Sequence, residues 1–158
     1  MPAELHIVDA FTSTPFCGNS AAVCITGEER ESSWMQNVAF ELNHPETAFL
    51  RRLDDSWELR WFSPRAEVDL CGHATLASAF VLWATGREEG NSSIRFLTRS
   101  GPLAASMDSR EIALDFPSVP VDACNPPEGI EDAFGCPVVF PGRTRFDLFF
   151  ELPSATDV

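Results

Sequence analysis

Two short segments of the 158-residue chain carry side chains that could do chemistry. The first reads Asn43-His-Pro-Glu-Thr and contains the carboxyl group of Glu46, and the second reads Cys71-Gly72-His73. Because glutamate side chains are mostly exposed, residue type alone favours a solvated Glu46 at a turn between a helix and a strand. A cysteine at the start of a helix is either a thiolate with a lowered pKa or a small buried apolar side chain. The residue types therefore leave the role of each segment open.

The second segment stands directly before an apolar run, residues 74–84, in which only Thr75 and Ser78 have polar side chains. A helix that is apolar on nearly every side must be enclosed by protein. The backbone N–H groups of Gly72 and His73 at its start would form a site for an anion such as a substrate carboxylate. In the alternative interpretation, Gly72 only allows a sharp turn and His73 caps the helix.

The other elements must enclose this helix. Alternating apolar residues and turn residues predict a second helix over 34–42 and several short strands, at 5–11, 21–25, 47–53, 57–62, 94–98, 102–107 and 111–116. We therefore predict an α+β fold in which a curved, mostly antiparallel sheet wraps around a central buried helix.

The chain divides by composition. Residues 117–127 contain four of the twelve prolines and are expected to form an extended linker. Residues 1–116 would be one lobe. Residues 128–158, which include a predicted strand over 146–152, are too few for a core of their own and would be the start of an incomplete second lobe. This organisation suggests a truncated reading of a longer protein or a half-protein that must pair, for instance as a homodimer.

Charge and cysteine usage exclude several classes of function. The formal net charge of −13 argues against binding to nucleic acid or anionic membranes. No secretory signal or membrane span is apparent, and five cysteines, an odd number, are expected to be reduced thiols of a cytoplasmic protein. The sequence has no CxxC pair and its three histidines are scattered, so we expect no metal site.

Three segments together resemble the N-terminal lobe of the PhzF-type isomerases, the phenazine-biosynthesis protein family, in the diaminopimelate epimerase-like group. They are residues 8–23, 43–49 and 59–79, in this order and spacing. The resemblance implies two similar lobes, each a curved sheet around a central helix, with the active site between them. It also implies an enzyme that works on a small carboxylate-bearing metabolite.

The resemblance assigns roles to the candidate residues. It implies that Glu46 acts first as base and then as acid, moving a proton between carbons of a dihydro-hydroxyanthranilate without metal or cofactor. Gly72 and His73 match the Gly-His pair of the family and would bind substrate. Cys71 stands where epimerases with two catalytic thiols carry a base, but no second matching cysteine is present.

Three departures from the family pattern limit how far the roles of the family's residues apply to this chain. Ser20 replaces the usual proline after Gly-Asn, Pro45 stands before Glu46 where serine is common, and the Asp-Pro-x-Thr-Gly-Ser segment of a second lobe is absent. Three hypotheses remain at this point. They are a PhzF-like isomerase or its N-terminal half acting through Glu46, an epimerase acting through Cys71, and a non-catalytic acidic module for binding or assembly.

Overall fold

The computed structural model describes residues 2–90, 92–108, 111–145 and 147–158. The chain forms two units, Met1–Phe116 and Pro117–Val158. Within the described residues, no helix is both long enough and apolar enough to cross a membrane.

A single sheet and two helices make up the first unit. In chain order its elements are β1 (Glu4–Ala10), β2 (Asn19–Thr26), α1 (Ser32–Leu42), β3 (Glu46–Arg52), β4 (Trp57–Phe62), β5 (Glu67–Val68), α2 (Gly72–Ala84), β6 (Ile94–Thr98), β7 (Gly101–Asp108) and β8 (Glu111–Asp115). The strand order is β1-β2-β3-β4-β6-β7-β8, with β5 paired to β4. The β2–β3 and β4–β6 pairs are parallel, and the other pairs are antiparallel. The sheet is thus mostly antiparallel, as predicted.

The apolar run becomes α2, which lies at the centre of this unit. Most of its side chains are buried, and these are Ala74, Thr75, Ala77, Ser78, Ala79, Val81, Leu82 and Trp83. Its two buried hydroxyl groups find partners within the helix. Thr75 Oγ1 donates to the carbonyl of Cys71 at 2.6 Å, and Ser78 Oγ donates to the carbonyl of Ala74 at 2.7 Å. The helix can therefore be enclosed without leaving these polar groups unsatisfied.

The sheet curls around α2. The helix contacts β1, β2 and β3 at one end of the strand order and β8 at the other end. Large side chains of the inner sheet face, including Leu50, Leu59, Trp61 and Phe96, pack with it in the main core. The prediction of a curved sheet around a central buried helix is confirmed.

The outer face of the sheet carries α1. Met35 and Ala39 of the helix pack against Phe49 and Phe62 in a second, smaller core cluster. α1 ends at Leu42, and the chain then enters β3 after three residues. The packing of α1 thus determines where β3 begins.

The second unit contains a small sheet and a short helix. Its elements are β9 (Asp122–Ala123), α3 (Ile130–Phe134), β10 (Phe140–Arg143) and β11 (Leu148–Glu151), with strand order β11-β10-β9. Residues 117–127, expected to be an extended linker, include β9, which pairs with β10 through Gly142 and Arg143. Phe146, the first residue of a strand suggested by the sequence, lies outside the described residues.

Candidate active site

Glu46 is the first residue of β3. The chain reaches it through Asn43, which caps α1 in the left-handed conformation (φ 51°), a conformation that asparagine tolerates better than most residues. β3 then runs parallel to β2, with Glu46 paired to Ala21. The Glu46 side chain keeps 23% of its surface exposed. The carboxyl group is therefore largely shielded by protein and still accessible to a ligand.

The second candidate segment forms the start of α2. Cys71 precedes the helix in an extended conformation (φ −144°, ψ 112°), and Gly72 is the first helical residue. The backbone N–H of Thr75 donates to the Cys71 carbonyl at 3.2 Å, which closes the first turn. The N–H groups before it have no carbonyl partner within the helix and lie at the positive end of its dipole. This end of α2 is suited to an anionic group.

Nothing in the described fold requires a glycine at position 72. Its φ is not in the left-handed region. Outside its own helical turn, a Cβ atom placed there would meet only Cε2 of Phe116 within 4 Å, at an ordinary distance of 3.6 Å. The described contacts therefore give no steric reason for a glycine at this position, and the role of Gly72 stays a prediction.

The structure brings Glu46 and His73 together across 27 positions of sequence. Glu46 Oε2 lies 3.3 Å from His73 Nε2, and the His73 side chain is 11% exposed. Nε2 is buried and makes no hydrogen bond of good geometry to any described residue. A buried polar atom without a partner is costly, so this nitrogen is available to a ligand or to the carboxylate after a small rotation.

Cys71 lies on the other side of the imidazole. Its Sγ is 3.5 Å from Nδ1 of His73. Burial raises the pKa of the Cys71 thiol to about 11, and the negative charge of Glu46 adds to this; the backbone N–H groups of Ala74 and His73 act in the opposite direction without cancelling it. A thiolate activated by the helix N-terminus is therefore not what the structure contains near neutral pH, because desolvation outweighs the helix end. Of the two sequence interpretations, the burial and the raised pKa favour the small buried side chain.

Glu46, Cys71 and His73 each offer an atom that could bind a metal, and these atoms lie within 4.8 Å of one another. Zinc is held by one nitrogen of each histidine ligand. Here the thiol faces Nδ1 and the carboxylate faces Nε2. The imidazole therefore stands between the two groups, an arrangement that suits a chain of hydrogen bonds rather than a shared metal ion.

Sequence reasoning did not identify a contact beside this cluster. Ser20 Oγ lies 3.2 Å from Nδ1 of His44, a hydrogen bond between the start of β2 and the residue two positions before Glu46. The sequence identifies Ser20 only as a departure from the family pattern, in which a proline is usual at this position. Since the two residues are 24 positions apart, only the parallel register of β2 and β3 brings them together, and neither residue type indicates this contact.

An open groove of about 800 Å³ lies elsewhere on the first unit. It is lined by Asp9, Phe11, Leu76, Phe80 and Glu111, among others, between β1, α2 and β8. Glu46, Cys71 and His73 do not line it. The groove is therefore distinct from the cluster that carries the reactive groups.

Comparison with known proteins gives concordant results. The family model described as "Phenazine biosynthesis-like protein" matches residues 8–127. An uncharacterized isomerase of Halalkalibacterium halodurans is 46% identical over 155 residues, covering 98% of this chain and 58% of the relative. A human phenazine biosynthesis-like domain-containing protein is 44% identical over 128 residues, covering 76% of this chain and 44% of that protein. The chain thus spans about half the length of the curated relatives it matches.

Solved structures agree with this similarity. A PhzF-family protein of Enterococcus faecalis superposes with a TM-score of 0.86 at 40% identity, covering 98% of this chain and 58% of that structure. A predicted epimerase of Pseudomonas aeruginosa superposes with a TM-score of 0.77 at 19% identity, covering 97% of this chain and 60% of that structure, which supports the fold alone.

Proposed function

The chain belongs to the phenazine biosynthesis-like (PhzF) protein family, and from this premise we propose that it forms the catalytic half of an isomerase that needs no cofactor and uses Glu46 to move a proton. The substrate class is a small carboxylate-bearing metabolite related to a dihydro-hydroxyanthranilate. Several relatives are named isomerases, which supports this class of reaction.

The observation that carries the proposal is the contact between Glu46 and His73. A partly shielded carboxylate lies 3.3 Å from a buried imidazole nitrogen that has no other partner among the described residues. A carboxyl group partly removed from water can take up a proton and release it again within one reaction cycle. This pair of groups is what such a reaction requires.

In the proposed reaction, the Glu46 carboxylate removes a proton from a substrate carbon. The C–H bond breaks, an O–H bond forms on Glu46, and the electron pair moves into the conjugated system of the substrate. The Glu46 carboxylic acid then gives the proton to a different carbon, which restores the carboxylate. No electron is gained or lost, so the step needs no redox partner.

Gly72 and His73 would hold the substrate in this reaction. The N–H groups at the start of α2 and the positive end of the helix dipole favour a carboxylate or a developing enolate. Because Gly72 has no side chain, such a group can approach its backbone more closely than the backbone of other residues. His73 Nε2 would donate a hydrogen bond beside the reacting carbon.

The test is deuterium incorporation from heavy water into a dihydro-hydroxyanthranilate-like substrate, followed by NMR. Glu46→Gln is expected to slow incorporation by about 10²–10⁴-fold, the usual contribution of a general acid–base group. Glu41→Gln is the matched control, because Glu41 is an exposed glutamate on α1. Unchanged incorporation in Glu46→Gln would overturn the proposal.

The same assay separates the two other hypotheses. A Cys71-based epimerase would lose exchange in Cys71→Ser and keep it in Glu46→Gln, but the raised pKa of this thiol counts against it. Absence of exchange in the unmodified protein, together with stable association with another protein, would instead favour a non-catalytic module.

We also propose that further protein completes the site, either as a second lobe or as a second copy of this chain. The observation in favour is the remaining exposure of the Glu46 side chain. Size-exclusion chromatography with light scattering tests this. A dimer supports a second copy, a monomer that binds the dye ANS supports a missing lobe, and a monomer without ANS binding contradicts both.

A further inference from the structure

Cys71 is in contact with the candidate site and has no part in the reaction proposed above. Its Sγ lies 3.5 Å from His73 Nδ1, while Glu46 Oε2 lies 3.3 Å from Nε2 of the same ring. Only 8% of the Cys71 surface is exposed. The buried Cys71 thiol thus faces Nδ1 of His73, and Nε2 of the same ring faces the Glu46 carboxylate.

We propose that Cys71 positions His73. The S–H group of Cys71 donates a hydrogen bond to Nδ1 of His73, and this keeps the N–H proton of the ring on Nε2, where it faces Glu46. The catalytic consequence rests on the function proposed for Glu46, but the hydrogen-bond arrangement itself does not.

The protonation state of the thiol determines the direction of this bond. Burial raises the pKa of Cys71 to about 11, so the sulfur carries its proton near neutral pH and can act as a donor. A neutral imidazole has one N–H donor and one bare nitrogen acceptor. If Nδ1 accepts from the thiol, the proton must reside on Nε2.

The opposite arrangement is unfavourable. In a neutral imidazole, if Nδ1 donated to sulfur, Nε2 would present a lone pair to Glu46 Oε2 at 3.3 Å, placing two acceptors in contact. Nε2 is buried, and no other described residue satisfies it. A proton on Nε2 removes this conflict, because the carboxylate becomes a possible acceptor.

This arrangement sets the proton affinity of Glu46. An Nε2–H group stabilises the Glu46 carboxylate, so it lowers the affinity of Glu46 for a proton. The hydrogen bond therefore favours return of the proton from Glu46 to the substrate. Cys71 would therefore influence the reaction through His73 without touching the substrate.

The test is ¹⁵N NMR of the protein labelled at histidine, because protonated and bare ring nitrogens resonate at clearly different frequencies. The chain has only three histidines, so His6→Gln and His44→Gln variants identify the His73 signals. The unmodified protein is expected to show a bare Nδ1 and a protonated Nε2. A protonated Nδ1 would overturn the proposal without any variant being needed.

Two substitutions of Cys71 test its role directly. Cys71→Ser keeps a donor and should preserve the His73 spectrum, whereas Cys71→Ala should move the Nδ1 signal towards the average of protonated and bare nitrogen. Cys24→Ala is the matched control, because it removes a buried thiol from the other core cluster. A His73 spectrum in Cys71→Ala that is identical to that of the unmodified protein would overturn the proposal.

Exchange activity provides the second readout. Cys71→Ala should reduce deuterium incorporation about fivefold, the effect of one neutral hydrogen bond, and Cys71→Ser should restore it. If the spectra follow the expectation and the unmodified protein exchanges no deuterium, then the function proposed for Glu46 fails while the assignment of the hydrogen bond stands.

Discussion

Glu46 and Glu67 of the first unit each begin a strand, yet their surroundings differ completely. Glu67 at the start of β5 is 15% exposed and forms ion pairs with Arg60 and Arg99. Glu46 at the start of β3 is 23% exposed and faces the imidazole of His73. The two side chains are buried to a similar extent, so the difference between them lies in the group that each carboxylate faces.

The partner decides what each carboxyl group can do. Hydrogen bonding to the Arg60 guanidinium lowers the pKa of Glu67, which keeps it ionised. A group that is always ionised cannot serve as an acid near neutral pH. Glu46 has no guanidinium partner among the described residues, and a histidine can be neutral at that pH. The comparison teaches that a shielded carboxyl group without a permanent cation is the one suited to proton transfer.

The largest effect is expected when Glu46 is given a permanent cation as its neighbour. His73→Arg would place a guanidinium beside Glu46 and hold it as a carboxylate, so deuterium incorporation should fall by at least about 100-fold. His73→Gln, which keeps a neutral donor, should lose only about tenfold. Circular dichroism melting verifies that both variants fold, and equal exchange rates in the two would contradict the interpretation.

The second prediction removes the cation from Glu67. Arg60 Nε and Nη2 donate to the two oxygens of Glu67 at 2.7 and 2.9 Å. Arg60→Gln should lower the free energy of unfolding by up to about 1 kcal/mol, because the paired, charge-assisted hydrogen bonds to Glu67 are lost. Exchange activity should not change.

Urea unfolding provides the measurement for this variant, with Arg65→Gln as its control because Arg65 is exposed. A stability loss of the same size in both variants would show that the pairing with Glu67 contributes nothing specific.

The smallest expected effect is on acid stability. Because the pKa of Glu67 is lower in the folded protein than its ordinary value of 4.5, its contribution is complete above pH 4.5 and is lost as the pH falls through the folded value. For such a partly exposed pair the contribution is below about 1 kcal/mol. Glu67→Gln should therefore have a flatter melting profile between about pH 6 and 3.

The control for the acid profile is Glu41→Gln, which should follow the unmodified protein. If the Glu67→Gln profile runs parallel to that of the unmodified protein over the whole range, the ion pair does not account for the acid sensitivity.

The architecture could be predicted because one element dominates the sequence. A run of eleven residues with only two polar side chains, 74–84, has to be enclosed, and short strands on both sides of it can only form a surrounding sheet. The position of β9 could not be predicted in the same way. Its pairing with β10 depends on residues about 20 positions later, and prolines nearby indicate a linker.

The candidate site was accessible to sequence reasoning only in part. The resemblance to a family singled out Glu46, Gly72 and His73, but no local pattern indicates that Glu46 lies between β2 and the start of α2. The thiol of Cys71 shows a further limit. Because Cys71 stands at the start of a helix, its sequence position suggests a lowered pKa. Only the packing of the fold shows that desolvation of the thiol raises this pKa more than the helix N–H groups lower it.

The contact of α2 with β8 has a consequence for anyone who shortens this chain. Phe116, which follows β8 directly, lies 3.6 Å from the position that a Cβ atom of residue 72 would occupy, an ordinary van der Waals contact. A fragment that stops before β8 would retain every reactive group of the cluster and lose one wall of its surroundings. The minimal piece worth expressing is thus set by a segment about seventy residues downstream of Glu46, and not by the reactive residues themselves.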